Sequence, residues 1–150
     1  MTHADDVTWM ERAIELSRNC PPAEGAFSVG AIIVGADGEE LARGYSRETD
    51  AHVHAEEAAL AKLPADDPRL AGATLYSTLE PCSERKSRPL TCTQLILRSP
   101  IRRVVIAWRE PSLLVADCVG VETLRVKSVA VVELPELSHQ ARSVNDHLLR

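Results

Sequence analysis

Aromatic side chains are scarce in this sequence, where Phe, Trp and Tyr together make up 3% of the 150 residues. Positive charge is also not in excess, because 22 Asp and Glu outnumber 17 Lys and Arg and leave a formal net charge of −5. Nonspecific nucleic-acid binding requires clustered basic residues, and single-strand binding requires aromatic platforms for base stacking. The composition therefore argues against a nucleic-acid partner and favours a small-molecule partner.

The sequence also contains no long apolar run and no basic, apolar leader at its start. A membrane-spanning helix needs about 20 consecutive apolar residues, and a secretory signal needs a charged start followed by an apolar stretch. We therefore expect a cytoplasmic protein with no membrane partner. Thiols stay reduced in that compartment, so metal binding or burial is expected for the four cysteines, Cys20, Cys82, Cys92 and Cys118.

Apolar periodicity divides the chain into alternating helices and strands. It predicts five strands, at residues 29–35, 41–47, 73–79, 102–108 and 128–134. It predicts helices that end near residue 18 and that cover residues 54–63, 91–99, 112–126 and 136–150. A capping box of Thr8 and Glu11 is expected to begin the first helix. Strands that alternate with helices indicate a layered α/β fold, so we predict one domain, residues 1–150, with a five-stranded mixed sheet between helices.

The segment HVHAEEAAL, residues 52–60, admits two interpretations. Acidic residues in a first helical turn interact favourably with the helix dipole, so the segment can be a polar helix start. Alternatively, His54 is a metal ligand and Glu56 a proton shuttle beside it. Cys82 and Cys92 favour the second interpretation, since they lie at a strand end and a helix start, and three N/S ligands are typical of catalytic zinc. Glu57 is expected to be a solvated first-turn charge.

HAE at 54–56 together with PC at 81–82 resembles the cytidine deaminase superfamily, whose signature is H-x-E followed by P-C and a second Cys. The resemblance extends over about residues 26–134 through VGAIIV, GATLYSTLEPC and IRRVVIA. Within the superfamily, the insert SERKSRPLT between the two cysteines is most similar to that of the pyrimidine deaminases of riboflavin biosynthesis.

The resemblance implies an α/β/α cytidine deaminase-like fold and a catalytic Zn²⁺ ion held by His54, Cys82 and Cys92. It further implies that Glu56 moves protons while water replaces the exocyclic amine of an aminopyrimidine-type heterocycle, which leaves as ammonia. The superfamily commonly closes its sites at subunit contacts. A homodimer or higher homo-oligomer is therefore expected.

The substrate positions depart from the riboflavin-pathway pattern. The resemblance implies that Lys86 or Arg88 in the insert reaches a substrate phosphate and that Phe27 stacks on the ring. However, Ala26 stands near the place where that family usually has an asparagine, and Ser46 stands where it often has a histidine. Trp108 and Glu110 end the fourth strand at the same side as the ligands, so a role in the pocket stays open for both.

Three alternatives remain open at this stage. The first is a deaminase for another base, nucleoside or nucleotide, such as cytosine, cytidine, guanine or an aminopyrimidine secondary metabolite. The second is a tRNA adenosine deaminase, against which the acidity and the wide Cys–Cys spacing count. The third is a structural zinc module or an inactive binder, which would need a fourth metal ligand. Cys20, Cys118 and His52 are the candidates for that ligand.

Overall fold

The structure, a computed structural model, describes residues 1–111 and 118–149. At its centre lies a five-stranded sheet with the strand order β2-β1-β3-β4-β5. The strands are β1 (Gly30–Val34), β2 (Glu40–Tyr45), β3 (Thr74–Ser77), β4 (Arg103–Ile106) and β5 (Ala130–Glu133). β1 pairs antiparallel with β2 and β3, whereas β3, β4 and β5 run parallel. The predicted mixed sheet is confirmed.

Helices cover both faces of this sheet, which confirms the three-layer prediction. They are α1 (His3–Ser17), α2 (Ala55–Leu60), α3 (Cys92–Arg98), α4 (Gly120–Val126) and α5 (Ser138–Ser143). Side chains alternate in direction along a strand. Ala31 and Ile33 therefore join a core with α2, α3 and α4, while Ile32 and Val34 join a second core with α1 and α5. No helix in the described residues is long and apolar enough to cross a bilayer.

The start of the first helix differs from the prediction. The capping box is formed by Thr2 and Asp5, not by Thr8 and Glu11. The Thr2 hydroxyl accepts the Asp5 N–H, and the Asp5 carboxylate accepts the Thr2 N–H. Thr8 lies inside the helix and donates its hydroxyl to the Ala4 carbonyl. Both sites fit the same local pattern, and the site nearer the terminus forms the box.

The later helical predictions are only partly correct. The predicted helix at 136–150 is instead a short α5 between two 3₁₀ turns, Pro135–Leu137 and Asp146–Leu148. The α-helical pattern is lost where Asn145 turns its side chain into the interior. Of the helix predicted at 112–126, the structure places α4 at its end, and residues 112–117 lie outside the described residues.

Strand directions bring four loops to one edge of the sheet. β3 and β4 both end at this edge, because parallel strands align their carboxyl ends, where ligand sites of α/β sheets gather. β1 runs in the opposite direction and begins there, and its first residue Gly30 pairs with Tyr45 at the end of β2. The residues before β1 and after β2, β3 and β4 therefore converge.

Candidate active site

Three side chains with metal-ligating atoms meet at this edge. Nδ1 of His54 lies 3.6 Å from Sγ of Cys82 and 3.4 Å from Sγ of Cys92. The three ligand atoms all lie within 4.8 Å of one another. Both cysteines are buried and His54 is half-buried. The residues proposed from the sequence as a metal site are thus brought together by the fold.

Local structure holds each of these side chains in place. His54 is the N-cap residue of α2, and Cys92 is the first residue of α3. The α3 start is fixed by a capping box, in which the Thr91 hydroxyl accepts the Gln94 N–H at 3.1 Å. The sulfur of Cys82, in the loop after β3, accepts the Cys92 N–H at 3.3 Å. The loop and the helix start therefore constrain each other.

The separations match the size of a zinc ion. With Zn–S near 2.3 Å and Zn–N near 2.0 Å, a tetrahedral site places its sulfur and nitrogen ligands about 3.5 Å apart. The two S···N distances bracket that value. Two thiols and one imidazole are also the ligand types that zinc prefers. The residues present fit a Zn²⁺ ion.

No fourth protein ligand completes the set among residues 1–111 and 118–149, where His54, Cys82 and Cys92 form the one group that meets the geometry of a metal site. Cys118 directs its thiol to the Pro81 carbonyl, and Cys20 directs its thiol to the Val29 carbonyl. Three ligands leave a coordination position open, which is typical of catalytic rather than structural zinc. The geometry therefore does not support a structural zinc module.

Glu56 lies beside the three ligands on the first turn of α2. Its side chain lines the same cavity as His54 and Cys82, and the residue is only 4% exposed. Burial raises the pKa of the Glu56 carboxyl above its ordinary value of 4.5, an effect that His54 partly offsets. A carboxyl with a raised pKa exchanges protons more readily near neutral pH, as a general acid–base requires.

The pKa values of the two thiols are shifted in opposite directions. A hydrogen bond from the Cys92 thiol lowers the pKa of Cys82 to about 4, and the His54 imidazole acts in the same direction. The same hydrogen bond, together with burial, raises the pKa of Cys92 well above its ordinary value. A metal cation binds thiolates, so its binding would displace the Cys92 proton and is expected to depend on pH.

His54, Cys82 and Glu56 line a cavity of about 350 Å³, which is large enough for a small heterocycle. Phe27 forms one wall, and its ring packs edge-on against Trp108 with centroids 5.2 Å apart. This contact supports the aromatic wall from the end of β4. Trp108 itself is half-buried.

The predicted substrate residues differ in how the structure places them. Phe27, Ser46 and Lys86 line the cavity. The Ser46 hydroxyl accepts the Val29 N–H at 2.9 Å and donates to the Val29 carbonyl at 3.5 Å, so it already bonds to the backbone. Arg88 is not part of the cavity wall, and its guanidinium donates to Asp50 at 2.6 Å.

The expectation that Glu57 is a solvated charge is wrong. One carboxylate oxygen of Glu57 accepts both the His54 N–H at 3.2 Å and the Arg85 guanidinium at 2.9 Å. The Arg85 side chain is 2% exposed. Sequence reasoning did not single out Arg85, because a basic residue in a charged insert has the same local pattern whether solvated or buried.

Two further glutamates, Glu80 and Glu110, lie at the site. Glu80 is buried, and its carboxylate accepts the N–H groups of Glu110 and Val121 at 3.0 and 2.9 Å. It thereby ties the end of β4 to the start of α4. Burial, with the nearby charges of Cys82, Glu56 and Glu80, raises the pKa of Glu110 to about 8. The Glu110 side chain lines the cavity, as its place after β4 allowed.

Known proteins match most of this chain. Residues 3–108 match the family described as the cytidine and deoxycytidylate deaminase zinc-binding region. The chain is 40% identical over 127 residues to the diaminohydroxyphosphoribosylamino-pyrimidine deaminase of Schizosaccharomyces pombe, covering 83% of this chain and 31% of that protein. It is 38% identical over 119 residues to the riboflavin biosynthesis protein RibD of Aquifex aeolicus, with coverages of 79% and 31%.

Solved structures agree with these relatives. The deaminase/reductase of Thermotoga maritima superposes with a TM-score of 0.79 at 33% identity, covering 98% of this chain and 41% of that one. The Aspergillus oryzae Rib2 deaminase gives a TM-score of 0.79 at 23% identity, over 93% of this chain and 89% of that one, which bears on the fold alone. The chain spans about a third of the length of the curated relatives that it matches.

Proposed function

The chain belongs to the family of cytidine and deoxycytidylate deaminases with a zinc-binding region, and we propose that it catalyses zinc-dependent hydrolytic deamination of an aminopyrimidine-type substrate. The observation that carries this proposal is the His54–Cys82–Cys92 triangle, of which His54 and Cys82 line one cavity together with the buried Glu56. We propose His54, Cys82 and Cys92 as the metal ligands and Glu56 as the catalytic residue. The reaction exchanges the exocyclic amine for oxygen and releases ammonia.

The residues around the cavity divide the chemistry among them. A zinc ion held by the three ligands would supply Lewis acidity, which makes water nucleophilic near neutral pH. Glu56 takes a proton from the attacking water and delivers it to a ring nitrogen, which makes the adjacent carbon electrophilic. Once the water oxygen has bonded to that carbon, Glu56 moves the proton of the new hydroxyl group to the amine, so that a C=O bond forms as the C–N bond breaks and ammonia leaves. Phe27 holds the ring by stacking.

The similarity to relatives named for diaminohydroxyphosphoribosylaminopyrimidine deamination supports a phosphorylated aminopyrimidine as substrate. Among the basic residues of the insert, Lys86 is better placed than Arg88 to meet the phosphate, because Lys86 lines the cavity while Arg88 pairs with Asp50. A Lys86→Ala variant should raise KM for the phosphorylated substrate, whereas Arg88→Ala should change KM little.

A second candidate is deamination of another base, nucleoside or nucleotide. The observation that favours it is the wall formed by Ala26 and Ser46, which stand where the riboflavin-pathway pattern usually has polar asparagine and histidine side chains. Ala26 has no polar side-chain atom, and Ser46 bonds to the backbone of Val29. A pocket altered in this way would select a different ring substituent.

We also propose that the chain forms a homo-oligomer, as the superfamily resemblance implies. The edge strand β5 supports this, because Val131 and Val132 remain half-buried without a further strand beside them in the described residues. Size-exclusion chromatography with light scattering measures the mass of the protein in solution and tests the proposal. A monomer at tens of micromolar would contradict it.

An ammonia-release assay on the zinc-loaded protein tests the proposed reaction and separates its substrates. The panel contains the phosphorylated ribosylaminopyrimidine, its dephosphorylated form, cytosine, cytidine, deoxycytidylate, guanine and an adenosine-bearing tRNA stem-loop, with Glu56→Gln as background. Release from the phosphorylated aminopyrimidine alone supports the first proposal, and release from another base or nucleoside supports the second. Silence across the panel with full zinc loading would contradict both.

A further inference from the structure

Arg85 is a buried cation in the loop that joins the two cysteine ligands. Its guanidinium donates to the His52 carbonyl at 2.6 Å and to the Glu57 carboxylate at 2.9 Å. It also reaches the Leu90 carbonyl at 3.5 Å. A charged side chain that is 2% exposed must be paired and hydrogen-bonded, since burial of an unpaired charge is costly. This arginine therefore has a fixed position.

The Glu57 carboxylate connects Arg85 to the histidine ligand. The same oxygen that accepts the Arg85 guanidinium accepts the backbone N–H of His54 at 3.2 Å. His52, whose carbonyl Arg85 also contacts, lies two residues before His54. The guanidinium thus holds the chain on both sides of the histidine ligand.

Arg85 also makes a contact within the loop that carries the two cysteine ligands. Cys82 precedes Arg85 by three residues, and Leu90, whose carbonyl it contacts, precedes Cys92 by two. Nine residues separate the two cysteines, so their loop is long enough to place them in many relative positions. We propose that Arg85 is a positioning residue that fastens this loop to the start of α2 and so preorganises the three ligands for zinc.

The physical reason lies in what must be ordered when the metal binds. A ligand set that is already held in place loses little conformational entropy on binding, whereas a mobile loop must be ordered at that moment. Partners that orient metal ligands from outside the coordination sphere typically contribute about 10–100-fold in metal affinity. Loss of Arg85 should therefore weaken zinc retention even though Arg85 touches no ligand atom.

The first experiment measures how fast zinc leaves the protein in excess chromophoric chelator. Arg85→Met removes the charge and keeps much of the side-chain volume. Arg88→Met is the matched control, because Arg88 lies on the same loop and donates to the exposed Asp50, whereas its Nε lies 3.6 Å from the Glu57 carboxylate and makes no hydrogen bond there. We expect zinc release to be at least about 10-fold faster in Arg85→Met and within about twofold of the parent in Arg88→Met. Equal release from parent and Arg85→Met would overturn the proposal.

Cobalt substitution provides a second readout that a general loss of stability would not move. The absorption of Co²⁺ bound through two thiolates and one imidazole depends on ligand geometry. We expect its bands to shift or weaken in Arg85→Met and to remain unchanged in Arg88→Met. Arg85→Lys should recover part of the zinc retention, since it keeps the charge but cannot reach all three acceptors.

A further variant keeps the test decisive if Arg85→Met fails to fold. Glu57→Gln leaves an oxygen at the same place but removes its charge, so zinc release should quicken by a smaller factor. The double variant Arg85→Lys with Glu57→Gln should be less impaired than the product of the two single effects, because both act through one contact. Independent, multiplicative effects would contradict the proposed connection.

This inference rests on the proposed zinc site but not on the proposed substrate. If the parent binds zinc tightly and releases ammonia from no substrate, the proposed function fails while the zinc-release comparison still tests Arg85. If the parent deaminates a substrate and Arg85→Met retains zinc as well as the parent does, the positioning role fails and the proposed function stands.

Discussion

The side-chain amide of Asn145 pairs with both backbone groups of Ser28. Its oxygen accepts the Ser28 N–H at 2.6 Å, and its nitrogen donates to the Ser28 carbonyl at 3.1 Å. Asn145 is 1% exposed, and 117 positions separate the two residues in the sequence. The contact fixes the segment that precedes β1 and carries Phe27 on the cavity wall.

Replacing Asn145 should therefore destabilise the protein from a position far from the metal ligands. Asn145→Ala leaves the buried N–H and C=O of Ser28 without their partner, and each unsatisfied group costs about 1–3 kcal/mol. We expect the free energy of unfolding in urea to fall by about 3 kcal/mol. Asn145→Asp should cost a similar amount, because its carboxylate can accept the N–H but repels the carbonyl. The exposed Asn19→Ala is the control, and an Asn145→Ala variant as stable as this control would contradict the account.

A second prediction concerns the close packing of α2 on β2. A Cβ atom on Gly44 would lie 2.5 Å from the Ala59 nitrogen and 2.6 Å from the Ala55 oxygen, both backbone atoms that cannot rotate away. Gly44→Ala should push α2 off the sheet, reduce the free energy of unfolding by about 3 kcal/mol and lower zinc content, since α2 positions His54. Gly25→Ala is the matched control, because its Cβ would meet no atom within 4 Å. Similar stabilities of the two variants would show that α2 tolerates the added methyl group.

The third prediction concerns the ion pair that anchors α1 to the sheet. The Asp6 carboxylate, 3% exposed as a residue, accepts from Arg103 at 2.6 Å and from the Tyr76 hydroxyl at 2.6 Å. Burial alone would raise the pKa of Asp6, but hydrogen bonds from Arg103 and Tyr76 outweigh it and lower the pKa below 3.8. The stabilisation is therefore present above pH 3.8 and is lost as the pH falls through the lower folded-state pKa.

Asp6→Asn should accordingly reduce the free energy of unfolding at pH 7 by about 3 kcal/mol, as expected when one partner of a buried pair is removed. The difference from the parent should shrink as the pH falls below about 4, because the parent loses the ionised carboxylate there. Urea unfolding at pH 7, 4 and 3 measures both effects. Asp66→Asn, at an exposed position, should follow the parent at each pH. A constant Asp6→Asn deficit at all three values would rule out the charge as its source.

These contacts show which parts of the structure could be predicted from the sequence. The five strands were predictable because apolar runs and turn residues are local signals, and the edge at which Cys82 lies followed from strand direction. His54, Cys82 and Cys92 could be proposed together because their residue types and their places at element ends are also visible locally. The capping box was placed wrongly because Thr2 with Asp5 and Thr8 with Glu11 share one local pattern.

The remaining features depend on contacts between distant parts of the chain. Asn145 and Ser28 show no mutual pattern in the sequence, and neither do Arg85 and Glu57, which lie 28 positions apart. Whether a charged side chain is buried or solvated cannot be predicted from the sequence of the insert, where Arg85 is buried and Arg88 is partly exposed. These contacts can be identified only from the tertiary structure, which brings each side chain to its partner.

The last prediction separates zinc binding from proton transfer at the site. Glu56→Gln preserves the size of a buried side chain and leaves the three proposed ligands in place, so zinc content measured by mass spectrometry should equal that of the parent. The amide cannot carry a proton from water to the ring, and general acid–base catalysis typically contributes about 10²–10⁴-fold. We expect kcat for ammonia release from the best substrate of the panel to fall by about 10³-fold or more.

Glu11→Gln, an exposed substitution on α1, serves as control and should retain full activity. Full zinc loading with more than a tenth of parental turnover in Glu56→Gln would remove Glu56 from the proton path and direct attention to Glu110, the other carboxyl with a raised pKa in the same cavity.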